Sequence, residues 1–227
     1  RIRRRFTIMA NNPSVFARSL LPPLAAVITS GLMHLSLSTA LIAAILTSAA
    51  LGAAAALLAF FLCWPLAWFA VLSPSRRRVA SAAVLAGFIL PPAVMATGWF
   101  ILLRGLAALP GLAPLLVILM NALMALPFAY TVLAPAVAKA HADHDRLCRS
   151  LGLSGFNRLR LIDGPVLRRP IGLALVMAAI VSLGDLTAIL FFGSEHFTTL
   201  PALIYRQMGS YRMGGAAGTA LVLALFS

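Results

Sequence analysis

TALIAAILTSAALGAAAALLAFFLCWPLAWFAVL, running from Thr39 to Leu72, contains no Asp, Glu, Lys or Arg. The uncharged stretch around it runs from Ser19 to Ser75. A helix needs about 20 apolar residues to cross the hydrocarbon core of a bilayer. The run exceeds that and is built mainly of Ala and Leu, both strong helix formers. It predicts one long spanning helix over Thr39–Leu72. Ala49, Gly52, Ala53 and Ala56 recur three and four apart within it, which suits close helix packing in lipid.

The whole chain has the same character. Of 227 residues, 62% are hydrophobic and 10% charged, against about 45–50% and about 25% in an ordinary soluble domain. A soluble globule of this size cannot hide so much apolar side chain, and disordered chains are polar and charge-rich. The fold class is an all-α polytopic membrane protein. The formal net charge is +13, from 18 Lys+Arg and 5 Asp+Glu. The positive charges come in short bursts between uncharged runs, as in loops retained on the cytoplasmic side. A nucleic-acid-binding patch would need a broad water-facing surface, so no nucleic acid is expected as a partner. Cys63 lies in an apolar run and Cys148 in a basic loop, so a disulfide is not expected.

Outward from Thr39, the stretch Leu20–His34 holds Pro22, Pro23, Thr29, Ser30 and His34. It reads either as a short span or as a helix lying outside the membrane. The basic cluster Arg1, Arg3, Arg4 and Arg5 precedes it. These arginines are cytoplasmic if Leu20–His34 crosses the membrane. Arg76–Arg78 read as a cytoplasmic loop. Val79–Leu103 is the next span, with Pro91 and Pro92 in its middle, so it is expected to be kinked or interrupted. Arg104–Pro110 is a short far-side loop, and Gly111–Val137 spans back. The polar region Lys139–Arg169 lies on the same side as Arg76–Arg78. Ile171–Phe192 spans outward, Gly193–Gly215 is an outer loop with Glu195, Arg206 and Arg212, and a further apolar run starts at Ala216. About five to six spans result, the last one truncated. The chain starts at Arg1 and stops inside an apolar run, which reads as a fragment of a longer polypeptide.

Within the polar region, Asp145 to Pro165 is the informative stretch. Leu147, Leu151 and Leu153 flank Gly152 and Gly155, which end a helix. Phe156, Leu159 and Ile162 then recur three apart, as on a short amphipathic helix, and Pro165 is expected to stop it. A short helix across the cytoplasmic face has the right shape to dock into a groove on a partner.

This stretch resembles the cytoplasmic signature loop of ABC-importer permeases: Glu-Ala-Ala, three residues, Gly, nine residues, Ile, one residue, Leu-Pro. Gly152, Ile162 and Pro165 fall at the expected spacings, while Arg146, Leu147 and Cys148 replace Glu-Ala-Ala and Gly164 replaces Leu. Ser182-Leu-Gly-Asp185, Phe191-Phe-Gly193, Phe197-Thr-Thr-Leu-Pro201 and Tyr205 to Arg212 look like the thiamine-type permease. Iron(III) and spermidine/putrescine permeases are related but share less of that run. The resemblance covers roughly Leu35 to the C-terminus and is to the C-terminal half of a tandem permease.

The resemblance implies a partial MetI-like ABC permease helical bundle over 35–227, after an N-terminal segment 1–34. It has a cytoplasmic coupling loop at 137–170 and a periplasmic loop at 193–215. It further implies that a dimer of ABC ATP-binding subunits docks on about Ser150–Arg160. Ser150, Leu151, Gly152, Gly155, Phe156, Arg158, Leu159, Ile162 and Pro165 are the coupling residues. A periplasmic substrate-binding protein delivers substrate to the outer loops, and the other permease half completes the pathway across the lipid bilayer. The implied function is ATP-driven import of thiamine or its phosphates across the inner membrane, or of iron(III) or a polyamine by the same fold. No cofactor is expected in this chain. It has no Gly-x-x-x-x-Gly-Lys-Ser/Thr run, so ATP and Mg belong to the partner subunit and the chain itself is not expected to be an enzyme.

Asp185 is the one acid inside an apolar segment. Such residues usually face a cavity or a partner, so it is either a pathway residue facing a cationic substrate or a packing residue bonded to backbone or Ser182. Gly184 accompanies it, and Pro91-Pro92 marks either a broken helix at a translocation site or a simple kink. His141, His144 and Asp145 share a helical face. They read as a solvated helix paired with Lys139, Arg146 and Arg149 rather than as a metal site. Trp64, Trp68, Trp99 and Tyr130 read as interface anchors before substrate-stacking groups. Tyr205 and Tyr211, with Arg206 and Arg212, could receive the binding protein or be ordinary loop residues. An intramembrane enzyme using Asp185 and a histidine is a remote rival, since His34 and His196 lie outside the dense spans.

Overall fold

A computed structural model describes residues 13–34, 38–89, 91–107, 112–192 and 198–226. Arg1, Arg3, Arg4 and Arg5, the far-side loop at 108–110, and Gly193, Glu195, His196 and Phe197 lie outside them. Every element among the described residues is a helix: α1 Pro13–Met33, α2 Thr39–Val71, α3 Pro74–Ile89, α4 Pro92–Ala107, α5 Ala113–Ser150, α6 Gly155–Gly184, α7 Thr187–Phe192, α8 Leu200–Gly209 and α9 Met213–Phe226. They divide into two compact units. One holds residues up to Ile45 and from Thr199 onward, and the other runs from Leu46 to Thr198.

In the first unit α9 packs against both α1 and α8. Gly31 lets α1 approach α9 closely, because a Cβ there would lie 2.9 Å from the Ala217 carbonyl oxygen. Leu41, Ala44 and Leu200 form a small core with Leu203, Val222 and Leu223 around it. The Thr219 hydroxyl donates to Gln207 Oε1 at 2.9 Å, tying α9 to α8. The expected outer loop is therefore largely helical over its described part, since α8 and the start of α9 occupy it. α9 has 14 residues, about 21 Å at 1.5 Å per residue and short of a hydrocarbon core about 30 Å thick.

In the second unit α5 and α6 form the principal packed pair. Small residues let α2 join them. Ala55, Ala56 and Ala59 of α2, Ala122 and Ala125 of α5 and Ala178 of α6 make a core entirely of alanine. Lipid offers no hydrophobic drive between helices, so close backbone approach and dispersion must hold such a seam. Gly52 belongs to it, its Cα set against Leu183 so that an added Cβ would meet the side chain at 3.2 Å. Ala53, expected on the same face, turns outward. A second core nearer the basic end gathers Cys63, Ala67, Val84, Tyr130, Leu133, Val137 and Leu167. Both cysteines are buried and unbridged.

Among the described residues three helices are long and apolar enough to cross a membrane: α2, α5 and α6. The pair α3 and α4, bent by 98° at the Pro91-Pro92 break, raises that to four if counted as one span. The expected five to six also counted α1 and the truncated last run, which are shorter apolar helices among the described residues.

Several local expectations change. Arg76–Arg78 sit in the first turns of α3, not in a loop, because Ser73 caps that helix, its hydroxyl accepting the Arg76 N–H at 3.2 Å, with Pro74 at the first position. Residues 138–150 continue α5, so between Val137 and Pro170 the backbone leaves the helix only at 151–154. Pro165 does not stop α6. A π-helical turn at Leu159–Asp163 precedes it, and Gly164 bonds back five residues to the Leu159 carbonyl. The wide turn spaces the carbonyl that a proline ring would meet in a regular helix. Only glycine fits at 164, where a Cβ would lie 2.9 Å from the Leu159 oxygen. Finally, Ile171–Phe192 is two helices, because Asp185 and Leu186 interrupt them.

Candidate functional site

The first constellation is the α5–α6 turn, at the basic end of the two helices. α5 closes in a Schellman motif: Leu153 N–H donates to the Cys148 carbonyl at 2.8 Å and Gly152 N–H to that of Arg149 at 3.2 Å. Gly152 has φ +64° and Gly155 φ +55°. No side chain would clash at either glycine, so backbone conformation alone selects them; the left-handed region costs other residues roughly 1–2 kcal/mol. The chain thus reverses within four residues and starts α6.

Arg158 holds this turn in place. Its guanidinium donates to Asp145 Oδ1 at 3.0 Å and to Asp163 Oδ2 at 3.2 Å, and stands 3.2 Å from His141 Nδ1. It also lies over the Trp68 ring at 5.8 Å. One side chain therefore ties α6 to α5 and α2, in a fork geometry only arginine provides. Asp163 is fully buried, and its Oδ1 has no partner. Arg149 also pairs with Asp145. Arg149's hydrogen bond, and Arg158's after it, hold the Asp145 carboxyl below its ordinary value. The Asp145 contribution is thus complete above the ordinary carboxyl pKa and is lost only as pH falls through the lowered one. His141 and Asp145 both face Arg158, and His144 bonds the Ala140 carbonyl. Among the described residues no three His, Cys, Asp or Glu could hold a metal.

Around this clamp the surface is apolar and open. Leu151, Phe156 and Leu161 are exposed, Phe156 by 71%. Leu159 and Ile162, expected on one stripe with Phe156, are half-buried. The π turn from Leu159 to Asp163 shifts Ile162 off the three-residue spacing of a regular helix. Ser150 caps its own helix end by donating to the Leu147 carbonyl.

The second constellation is a cavity of about 410 Å³ in the same unit. Asp185, Gly184 and Pro92 line it, as do Asn121, Ser182 and Phe128. Pro91 is not on its wall; its carbonyl accepts the Val94 and Met95 N–H groups and so starts α4. Asp185 accepts the Thr187 N–H at 2.8 Å and the Ala188 N–H at 3.4 Å, capping α7. The bonding to neighbouring backbone and the place on a cavity wall therefore coexist. Asn121 is the residue sequence reasoning missed. It is the one amide side chain between Gly111 and Val137, and a polar residue within a span was signal enough.

The aromatic residues divide. Trp64 and Trp68 follow Phe60 in an aromatic row along α2, Trp68 meets His141 of α5 edge to face, and Tyr130 is buried in the core. In the other unit Tyr205 and Tyr211 are exposed, Tyr211 with φ +58°.

Residues 59–227 match the model of the family described as binding-protein-dependent transport system inner membrane component. The thiamine transport system permease protein of Brucella abortus is 46% identical over 213 residues, covering 89% of this chain and 38% of that protein. The Escherichia coli protein of the same name is 38% identical over 215 residues, covering 91% and 40%. That of Haemophilus influenzae is 36% identical over 152 residues, covering 66% and 28%. The chain spans about two-fifths of the length of the first two.

Proposed function

The chain belongs to the family of binding-protein-dependent transport system inner membrane components, and on that premise we propose that it is the permease segment of an ATP-driven importer of thiamine or its phosphates. It is a multi-pass inner-membrane segment. The observation that carries the reading is the α5–α6 turn. An exposed apolar patch around Phe156 sits on a rigid support, at the end of two spans, where the signature glycine Gly152 falls. Phe156 and Leu151 enter a groove on an ATP-binding subunit, which carries the ATP and Mg. Ser150, Gly152 and Gly155 shape the turn; Arg158, Leu159, Ile162 and Pro165 hold it to the spans. Movement of that subunit then passes into α5 and α6 as one rigid pair.

On the outer side a periplasmic binding protein delivers substrate, and the other permease half completes the pathway. Asp185, Gly184, Pro91 and Pro92 belong to that pathway, at the break between α3 and α4 and the break between α6 and α7. Thiamine is favoured over iron(III) or a polyamine by the names of the relatives.

The test is ATP hydrolysis by the full transporter in proteoliposomes. Binding protein loaded with thiamine is expected to stimulate hydrolysis several-fold over empty binding protein. Stimulation by iron(III) or polyamine instead would move the substrate, and no stimulation by any loaded binding protein would overturn the reading.

A further inference from the structure

The cavity beside Asp185 has more polar chemistry than its structural role explains. Asp185 caps α7 through its two oxygens. Asn or Ser would cap as well, without placing an acid inside an apolar segment, where it is costly. Each oxygen keeps lone pairs beyond its backbone bond. Among the described residues no Lys, Arg or His lines the cavity, so none of them neutralises the acid on its wall.

Asn121 adds a second, independent feature. Its Nδ2 donates to Ser182 Oγ at 2.9 Å and lies 3.4 Å from the Ser182 carbonyl. That fixes which way the amide faces and leaves Oδ1 as a buried acceptor with no partner. The residue is only 4% exposed, so bulk water does not satisfy it. Buried polar groups are normally paired, and because Asn121 lines the cavity, a donor that enters there is the partner its amide oxygen lacks.

The remaining wall is soft and aromatic. Phe88 and Phe128 meet edge to face at 5.0 Å, and Met95 and Met124 extend the surface. Aromatic faces attract cations, and thioethers adapt to a ligand's shape. A volume of about 410 Å³ falls in the range of about 300–1,000 Å³ typical of small-molecule sites.

We infer that this cavity is a subsite for an organic cation that has an apolar or aromatic face and a hydrogen-bond donor. Asp185 supplies the counter-charge, Asn121 Oδ1 accepts the donor, and Phe88 and Phe128 pack on the face. The inference rests on the proposed permease reading and gives the Asp185 pathway a ligand chemistry. A metal ion fits poorly, since one carboxylate and one amide oxygen make an incomplete oxygen cage beside phenyl rings.

The experiment uses the full transporter, in a background whose reactive cysteines are replaced, with Met124→Cys introduced on the cavity wall. Its modification rate is measured with trimethylammonioethyl methanethiosulfonate and with the anionic sulfonatoethyl reagent. The cationic reagent is expected to react about tenfold faster or more, from the pull of a nearby acid at low effective dielectric. Asp185→Asn keeps the cap and is expected to abolish that preference. Thiamine is expected to protect the cysteine, and Asn121→Leu to raise the protecting concentration about tenfold, the usual scale for losing a partner of a buried acceptor. Equal rates, a preference that survives Asp185→Asn, or no labelling by either reagent would overturn the inference. A cation preference that depends on Asp185, without protection by thiamine, would uphold the cation site and overturn thiamine as the transported substrate.

Discussion

Arg158→Leu is expected to abolish ATP-coupled uptake and to lower the melting temperature of the transporter by roughly 10 °C, measured by intrinsic fluorescence. Asp163 is fully buried and has Arg158 as its hydrogen-bonding partner, while its second oxygen already lacks one. Removing one member of a buried pair leaves an uncompensated charge, which costs about 3–5 kcal/mol. The same change cuts the tie between α6 and Asp145 of α5 and removes the cation over Trp68. Force from a docked partner would then deform the turn instead of moving the helix pair. Arg158→Lys keeps a charge but not the fork, so it should retain part of the stability and little of the coupling. Adding Asp163→Asn to Arg158→Leu should recover much of the lost stability, because the orphan charge goes. A double variant no more stable than Arg158→Leu alone would contradict the clamp.

The second large effect separates docking from folding. Phe156→Ala is expected to weaken association with the ATP-binding subunit about 30-fold or more, the scale of an aromatic hot spot truncated at a loss of about 2 kcal/mol or above. The melting temperature of the permease should not move, because Phe156 is 71% exposed and supports nothing beneath it. The readout is the amount of ATP-binding subunit retained on affinity-purified permease, with Leu161→Ala beside it. Full retention after Phe156→Ala would place the docking surface elsewhere.

These two residues mark what the sequence alone could convey. Phe156 was legible, because an apolar residue in a basic region after a glycine turn has few other uses. The long uncharged run became α2 with an end shifted by one residue, and the Pro91-Pro92 break was readable from the missing backbone donors. The polar continuation of α5 to Ser150 was harder. A helix held by ion pairs looks like a loop when hydropathy is the guide, and only tertiary contacts show that His141 and Asp145 face Arg158. The π turn at Leu159–Asp163 left no signal beyond a glycine before a proline, yet it lets α6 continue through Pro165. Asp185 stood out as a lone acid, but its place at a helix break required the pairing of its oxygens with Thr187 and Ala188.

The most direct test is uptake of radiolabelled thiamine into proteoliposomes holding the full transporter, with thiamine-loaded binding protein outside and ATP inside. Accumulation that requires ATP, requires the binding protein and disappears with Arg158→Leu is the predicted result. Uptake that proceeds without ATP, or no uptake of thiamine when another solute on its own binding protein is imported, would contradict it.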